Sequence, residues 1–322
     1  MPPPLRLWIA TFLLARSVTA VAEGFNIQAA DDAQSGLIFF FEGPESSSLG
    51  LGPQDPLRIG GGEQSLSFTF QGQGNALLGA LLGRQYAVEA FVLGSANFLT
   101  FEGQENGFID TRLGLSMIGD GNAFKFSQAP DSAEILEVSA QVEVIGGANT
   151  ISLGSGDDAS YDWRVLGADH QVTLDQTEAR DTAFSLFWSG EQNLGGFSFN
   201  ETSEISAAVL VEGIRNEVTL ALSQSNVGNL SLSILGADSR VNFSTLNSHG
   251  FTYGIDLIGD RNLIKLQASE VSDHNALLLL RGDDNRIDIL QKQLQGGRLT
   301  VDIEGSGNSL EVLQSSELEG PR

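Results

Sequence analysis

The sequence predicts an all-β protein, folded as a parallel β-solenoid of about eleven two-strand rungs. Three observations predict this fold class. A Gly-x-x-Asn motif recurs about every 23 residues, apolar residues alternate with other residues on both sides of each glycine, and 38 glycines accompany 41% hydrophobic residues. Alternation with period 2 on both sides of a turn is typical of strand, turn and strand, and it excludes helical repeats.

Each rung is located by its arch glycine, numbered here as position 0. From Gly167 onward the six steps between these glycines are all 23 residues, and the earlier steps range from 21 to 27. We expect the glycine to supply the positive φ that a tight arch requires. The arch glycines are Gly72, Gly94, Gly119, Gly146, Gly167, Gly190, Gly213, Gly236, Gly259, Gly282 and Gly305.

The inward side chains are predicted from the alternation. Positions −4, −2, +5 and +7 are apolar in every rung except at Gly79 and Gly195, so they are expected to fill a narrow interior. Intervening positions, such as Lys265 at +6, are expected to point outward. Because one rung cannot bury its apolar face alone, the rungs must stack at about 4.8 Å.

An asparagine at position +3 is present in nine of the eleven rungs, and His170 and Ser239 occupy the other two. The parity of position +3 points this side chain inward, where stacked amides can form a ladder. Asparagine also tolerates the left-handed conformation of a turn. A structural ladder is preferred over a binding site. The ladder residues are Asn75, Asn97, Asn122, Asn149, Asn193, Asn216, Asn262, Asn285 and Asn308.

The segment 1–22 has the order of a secretory signal peptide. Arg6 precedes an apolar run from Leu7 to Ala15, and Ala20-Val21-Ala22 matches a cleavage site. The run is too short to cross a bilayer of about 30 Å. We expect cleavage after Ala22 and no transmembrane segment afterwards, with an N-terminal anchor as the alternative.

Four segments are expected along the chain. These are the signal peptide (1–22), an N-terminal leader or cap (23–63), the solenoid (64–316) and a polar C-terminal tail (317–322). Within the solenoid, the stretches 103–111 and 128–137 lengthen the early rungs and are expected to be loops.

The charge and composition exclude several functions. A formal net charge of −24 repels phosphate backbones, so no nucleic-acid partner is expected. The chain has no cysteine, which excludes disulfides and thiol chemistry. No cofactor is expected.

Catalytic and metal sites are weakly indicated. The three histidines, His170, His249 and His274, fall in turns without a spacing that suits a metal site or a triad. The carboxylates at position −3, Glu143, Asp256 and Asp302, lie on rungs that are not neighbours. Acidic pairs occur at Asp31-Asp32, Asp157-Asp158 and Asp283-Asp284, and "GSGDDAS" matches only a fragment of a calcium-binding repeat.

The arch glycine and asparagine, followed by a glutamine at position +9, resemble the repeat of curlins, the secreted subunits of bacterial curli fibres. The resemblance covers residues 64–316, and the glutamine matches at Gln128, Gln176, Gln291 and Gln314. A first glutamine, typical of curlins before the arch glycine, is replaced here by an apolar residue in every rung.

The resemblance implies a β-solenoid exported across a Gram-negative envelope by outer-membrane secretion machinery. The implied location is extracellular or at the cell surface, with the periplasm as the alternative. The implied function is structural and not enzymatic: a subunit, nucleator or accessory of a fibre or biofilm matrix, with itself or a related subunit as partner. The alternatives are a carbohydrate-active parallel β-helix enzyme, a polysaccharide lyase or hydrolase, and a capped monomeric adhesin.

Overall fold

The computed structural model describes residues 8–12, 26–28, 35–43, 48–49, 57–61, 64–73, 76–84, 86–128, 136–154, 159–177, 180–293 and 295–315. The chain divides into two compact units, Met1–Arg164 and Val165–Arg322, called here the N-terminal and C-terminal units. All regular structure among the described residues is β-strand. The units contain about nine turns of parallel β-solenoid with a period of about 23 residues, which confirms the predicted fold class.

The N-terminal unit contains the first strands of the chain. They are β1 (Trp8–Phe12), β2 (Asn26–Gln28), β3 (Ser35–Gly43), β4 (Ser48–Leu49), β5 (Leu57–Gly61), β6 (Gln64–Gln73), β7 (Ala76–Arg84), β8 (Tyr86–Ser95), β9 (Phe98–Ile118), β10 (Ala123–Gln128), β11 (Leu136–Gly147) and β12 (Thr150–Leu153). The next strand, β13 (Ser160–Ala168), has residues in both units.

The C-terminal unit continues with short strands of similar length. They are β14 (Gln171–Thr177), β15 (Ala183–Ser189), β16 (Leu194–Asn200), β17 (Ser203–Glu212), β18 (Glu217–Ser223), β19 (Asn226–Leu235), β20 (Arg240–Leu246), β21 (His249–Ile258), β22 (Leu263–Ser269), β23 (Asn275–Arg281), β24 (Arg286–Lys292), β25 (Arg298–Glu304) and β26 (Ser309–Ser315).

Each strand of the C-terminal unit pairs with the strand two places along the chain. The odd-numbered strands β15 to β25 form one parallel sheet, and the even-numbered strands β14 to β26 form the other. The register is constant, since Leu266 pairs with Phe243 on one side and Ile289 on the other, each one full period away along the chain. Every side chain therefore lies over its equivalent in the neighbouring rung.

The N-terminal unit shows the same pairing with longer strands. The first part of β9 pairs in parallel with β7 and β10, and its last part pairs with β8 and β11. Residues 103–111 therefore lie within a strand, and the prediction of a loop there was wrong. The alternating pattern continues only weakly through "GQENGFIDT", so sequence reasoning missed it. Most of the second predicted loop, 129–135, is outside the described residues.

Strands also occur in the segments assigned to the signal peptide and the leader. β1 pairs antiparallel with β3, whereas β3 pairs in parallel with β6 in the manner of a rung. The proposed boundaries at residues 22 and 63 remain predictions. Residues 316–322, which include the predicted tail, are outside the described residues.

The interior contains the side chains that the alternation predicted. Leu257 at position −2 and Leu266 at position +7 are both 0% exposed, while Lys265 at +6 is exposed. Each fully buried aliphatic side chain stabilises the fold by about 1.5–3 kcal/mol. Aromatic rings also pack against one another in the interior, as in the tilted pair Phe243–Tyr253 with ring centroids 5.0 Å apart.

Candidate functional site

The arch asparagines lie inside the solenoid and bond to the preceding rung. Asn262 Oδ1 accepts a hydrogen bond from the Ser239 N–H at 2.8 Å, and Asn262 Nδ2 donates to the Gly236 carbonyl at 2.9 Å. The next rung repeats this pair of bonds, from the Asn262 N–H to Asn285 and from Asn285 to the Gly259 carbonyl. Each rung therefore satisfies two backbone groups of its neighbour.

The same bonds occur in the N-terminal unit. Asn122 accepts from the Asn97 N–H at 2.9 Å and donates to the Gly94 carbonyl at 2.9 Å. Here the two amides also bond to each other, at 3.0 Å from Asn97 Nδ2 to Asn122 Oδ1. The ladder is thus mainly amide to backbone, whereas the sequence predicted amide to amide. Asn75 lies outside the described residues.

The two rungs without asparagine place other polar side chains at position +3. The His170 N–H donates to Asn193 Oδ1 at 2.9 Å, and the His170 ring nitrogen Nε2 lies 3.2 Å from the Leu166 carbonyl oxygen. Ser239 Oγ accepts from the Asn216 N–H at 3.3 Å. Both side chains are buried, so they replace asparagine as polar members of the interior column.

Nine of the arch glycines adopt positive φ, as expected, with values between 122° and 145°, a region that side chains with a β-carbon do not tolerate. Gly236 is not among them. A β-carbon at Gly259 would overlap the Gly236 carbonyl of the preceding rung. The left-handed residue is at position +2, for example Arg215 with φ 58° and Arg261 with φ 56°. The asparagine at position +3, which tolerates this conformation, is not the left-handed residue of the arch.

Position +2 also carries alternating charge in four successive rungs of the C-terminal unit: Arg215, Asp238, Arg261 and Asp284. Arg261 donates from Nε and Nη2 to the two oxygens of Asp238, at 2.8 and 2.9 Å. This bidentate contact holds the pKa of Asp238 below its ordinary value and raises the pKa of Arg261. We call these four residues the charge ladder.

A second polar ladder lies at the opposite turn of the C-terminal unit, and sequence reasoning missed it. Thr202 Oγ1 and Ser225 Oγ are 2.9 Å apart, and the Ser225 N–H donates to Ser248 Oγ at 3.4 Å. All three side chains are buried. Their spacing in the sequence equals the period of the arch glycines, and this was the available signal.

A shallow groove of about 510 Å³ crosses the outer sheet face of the N-terminal unit. Gly114 and Ser116 pair in register with Glu89 and Phe91, respectively, of the preceding rung. On the other side they pair with Gln141 and Glu143 in the following rung. We call this the Gly114 groove. Phe91 lines the groove and is 40% exposed.

Three carboxylates line this groove: Glu89, Glu143 and Asp162. Glu143 forms an ion pair with Arg164 at 3.4 Å, and Asp162 lines the same groove. Sequence reasoning compared only carboxylates at position −3 and so missed Asp162 at position −5. The other two residues at −3, Asp256 and Asp302, lie in the C-terminal unit, and Leu279 separates them in register.

The histidines do not form a catalytic triad. His249 Nδ1 lies 2.5 Å from Ser272 Oγ and 3.8 Å from Asp273 Oδ2. A triad needs the serine and the carboxylate on different ring nitrogens, and here both approach Nδ1. His274 is buried and stacks on Tyr253 with ring centroids 6.0 Å apart, so burial lowers the pKa of its imidazole.

The described acidic pair is part of the arch. Asp283 accepts hydrogen bonds from the backbone N–H and the hydroxyl of Ser306, at 2.7 and 2.9 Å, and these bonds lower its pKa. The pairs Asp31-Asp32 and Asp157-Asp158 lie outside the described residues. Within the part of the chain that is described, no group of three His, Asp or Glu side chains could hold a metal ion.

The fold and its ladders define the chain as a parallel β-solenoid. Comparison with protein families, curated proteins and solved structures finds no match. None of the described residues belongs to a helix with the length and apolar composition needed to span a bilayer.

Proposed function

We propose that this chain is a secreted structural protein of an extracellular fibre or biofilm matrix, acting as a curlin-like subunit, nucleator or accessory. The observation that carries the proposal is the rung formed by β25 and β26. Leu310 and Val312, at the inward positions +5 and +7, are 42% and 43% exposed, whereas Ile287 and Ile289 beneath them are 0% and 2% exposed. Another rung stacked on this face would bury them.

Asn308 in the same rung bonds to the preceding rung in the same way as the other arch asparagines. Asn308 accepts from the Asn285 N–H and donates to the Gly282 carbonyl, at 2.9 and 2.8 Å. Among the described strands, β25 pairs only with β23, and β26 pairs only with β24. A Gly-x-x-Asn rung of a second copy, or of a related fibre subunit, would continue the ladder from Asn308. Head-to-tail addition of this kind is open-ended and produces fibres.

The proposed location is outside a Gram-negative cell, reached after cleavage behind Ala22 and passage through outer-membrane secretion machinery. N-terminal sequencing of the protein recovered from the extracellular matrix should begin at Glu23. Recovery of a chain that still begins at Met1, or recovery from the cytoplasm alone, would contradict the proposed export.

Assembly is tested with two lysine substitutions on adjacent residues of β26. Val312→Lys places an amine at an inward position, and Leu313→Lys places one at an outward position that is already 57% exposed. Both variants add one positive charge to an acidic chain, so both reduce repulsion between copies equally. Only Val312→Lys would bury an unpaired charge in a joined fibre, which costs several kcal/mol.

We expect the unmodified protein to assemble slowly, and faster at high salt, because salt screens its carboxylates. Val312→Lys should slow assembly at least about tenfold, which corresponds to about 1.4 kcal/mol. Leu313→Lys should retain the parent rate. Light scattering, an amyloid dye and electron microscopy would follow the reaction. A protein that stays monomeric at both salt concentrations and does not accelerate a curlin's assembly is a capped adhesin or an enzyme instead.

A further inference from the structure

The Gly114 groove has the dimensions of a slot for one flat ring. Its floor is Gly114, which has no side chain, and Ser116, which has a short one, so little projects from the outer face there. Its walls are the rungs on either side, which stand about 9.6 Å apart at about 4.8 Å per rung. A ring held between two walls needs two van der Waals separations of about 3.5–4.0 Å each, so one ring fits.

The walls differ in chemistry. Phe91 stands in register with Ser116 on one side, lines the groove and is 40% exposed. Glu143 stands in register with Ser116 on the other side and is held by Arg164 at 3.4 Å. Aromatic faces pack against the apolar faces of ligand rings, and a few placed polar groups fix their orientation.

The charge of the groove selects among ring-shaped ligands. Glu89, Glu143 and Asp162 supply three carboxylates against the single guanidinium of Arg164. The whole chain adds a net charge of −24, which attracts cations and repels anions at long range. An ammonium group in the groove would make charge-assisted hydrogen bonds with these carboxylates and would also face the Phe91 ring. A uronate would instead meet like charges.

We propose that the Gly114 groove binds an amine-bearing glycan, a polymer of glucosamine type, without cleaving it. The sugar ring lies on Gly114 and Ser116 with its apolar face against Phe91. Its ammonium and hydroxyl groups bond to the carboxylates of the groove. This inference does not rest on the proposed fibre role, since the groove lies on an outer sheet face and not on the rung of β25 and β26.

Two glycine substitutions test the proposal with a matched control. A β-carbon at Gly114 would make only ordinary contact, 3.8 Å from Glu89 Cγ, so Gly114→Thr fills the groove without disturbing the fold. Gly254 occupies the same position, −5, in the C-terminal unit, and a β-carbon there would have no atom within 4 Å. Gly254→Thr therefore adds the same side chain to the outer face of β21, away from the Gly114 groove.

Binding would be measured by titration calorimetry with three soluble oligosaccharides of equal length: a glucosamine oligomer, a neutral glucose oligomer and a galacturonate oligomer. We expect the glucosamine oligomer to bind at least tenfold more tightly than the galacturonate oligomer. Gly114→Thr should weaken this binding at least tenfold, and Gly254→Thr should leave it within twofold. Phe91→Ala should weaken it as well.

Four results would overturn the proposal. These are no measurable binding of the glucosamine oligomer, equal binding of the glucosamine and galacturonate oligomers, unchanged binding by Gly114→Thr, and equal weakening by both threonine variants. The last result would mean that the cation is attracted to the acidic surface in general. None of these outcomes depends on whether the protein forms fibres, so the two proposals fail separately.

Discussion

Gly195 lies against the indole ring of Trp188, and a β-carbon at Gly195 would be only 2.6 Å from Trp188 Cζ3. It would also be 2.9 Å from Cε2 of Phe197. Trp188 is 0% exposed and fills the interior of its rung. The glycine that interrupts the apolar pattern at position +5 therefore compensates for a large residue at −2, because the interior is packed to constant density.

Replacing Gly195 by alanine should destabilise the fold by about 1–3 kcal/mol, because the added methyl group overpacks the interior. The control is Gly196→Ala on the outward side of the same strand, where the nearest atom to the new β-carbon is Thr173 Cγ2 at 3.8 Å. We expect this variant to be neutral or more stable by about 0.4–1 kcal/mol. Urea unfolding of both variants measures the difference, and equal effects would contradict the packing argument.

The asparagine ladder should be sensitive to loss of its hydrogen bonds. Asn262→Leu leaves the Ser239 N–H and the Gly236 carbonyl unpaired in the interior, which should cost about 2–6 kcal/mol at about 1–3 kcal/mol per group. Asn262→Ser keeps an acceptor like that of Ser239 and should cost less. Thermal unfolding would compare them. A serine variant as unstable as the leucine variant would show that side-chain volume, and not hydrogen bonding, matters at this position.

The charge ladder should stabilise the arch mainly at low salt. Arg261→Glu would place a carboxylate among Asp238, Asp260 and Asp284, so we expect a lower melting temperature at low salt that recovers at high salt. Lys125→Glu makes the same charge change where the in-register neighbours, Thr100 and Ser152, are uncharged. It should change the melting temperature little. A deficit of Arg261→Glu that persists at high salt would contradict an electrostatic cause.

His274 should make the fold sensitive to acid. Burial lowers the pKa of its imidazole in the folded state, so the unfolded chain binds a proton more readily and stability falls as the pH drops below about 6.5. His274→Phe keeps the stacking on Tyr253 and removes this contribution. The drop in melting temperature between pH 7.5 and 5.5 should therefore be smaller than in the parent. A His274→Phe variant that retains the full parental drop would contradict this contribution.

Much of the interior could be predicted because a strand has a side-chain period of two. Leu257 and Leu266 follow from alternation alone, and Asn262 follows from the same parity. The glycine at position 195 could not be explained from the sequence, since it makes room for the ring of Trp188, which reaches across the interior. The left-handed residue at position +2 was not predicted, because the sequence shows that the turn is tight but not which residue in it has positive φ.

Contacts between rungs were harder to predict than contacts within one. The pair Arg261–Asp238 joins variable positions in which charges alternate for only four rungs, so no fixed motif marked it. The Gly114 groove combines positions −5 and −3 of different rungs. Its shape arises because one rung has short residues where the neighbouring rungs have longer side chains. Comparing one position at a time across the repeats does not reveal this arrangement.

The constant step between rungs of the C-terminal unit also has a consequence for how the chain folds. Each new rung must close a loop of the same length against a rung that is already formed. The entropic cost of this closure is about 3 kcal/mol and is nearly the same for every rung. Since each rung contacts only its neighbours, no contact has to wait for a distant part of the sequence. Folding should therefore proceed as a zipper from whichever rung forms first, with a rate that depends on nucleation and hardly on the number of rungs.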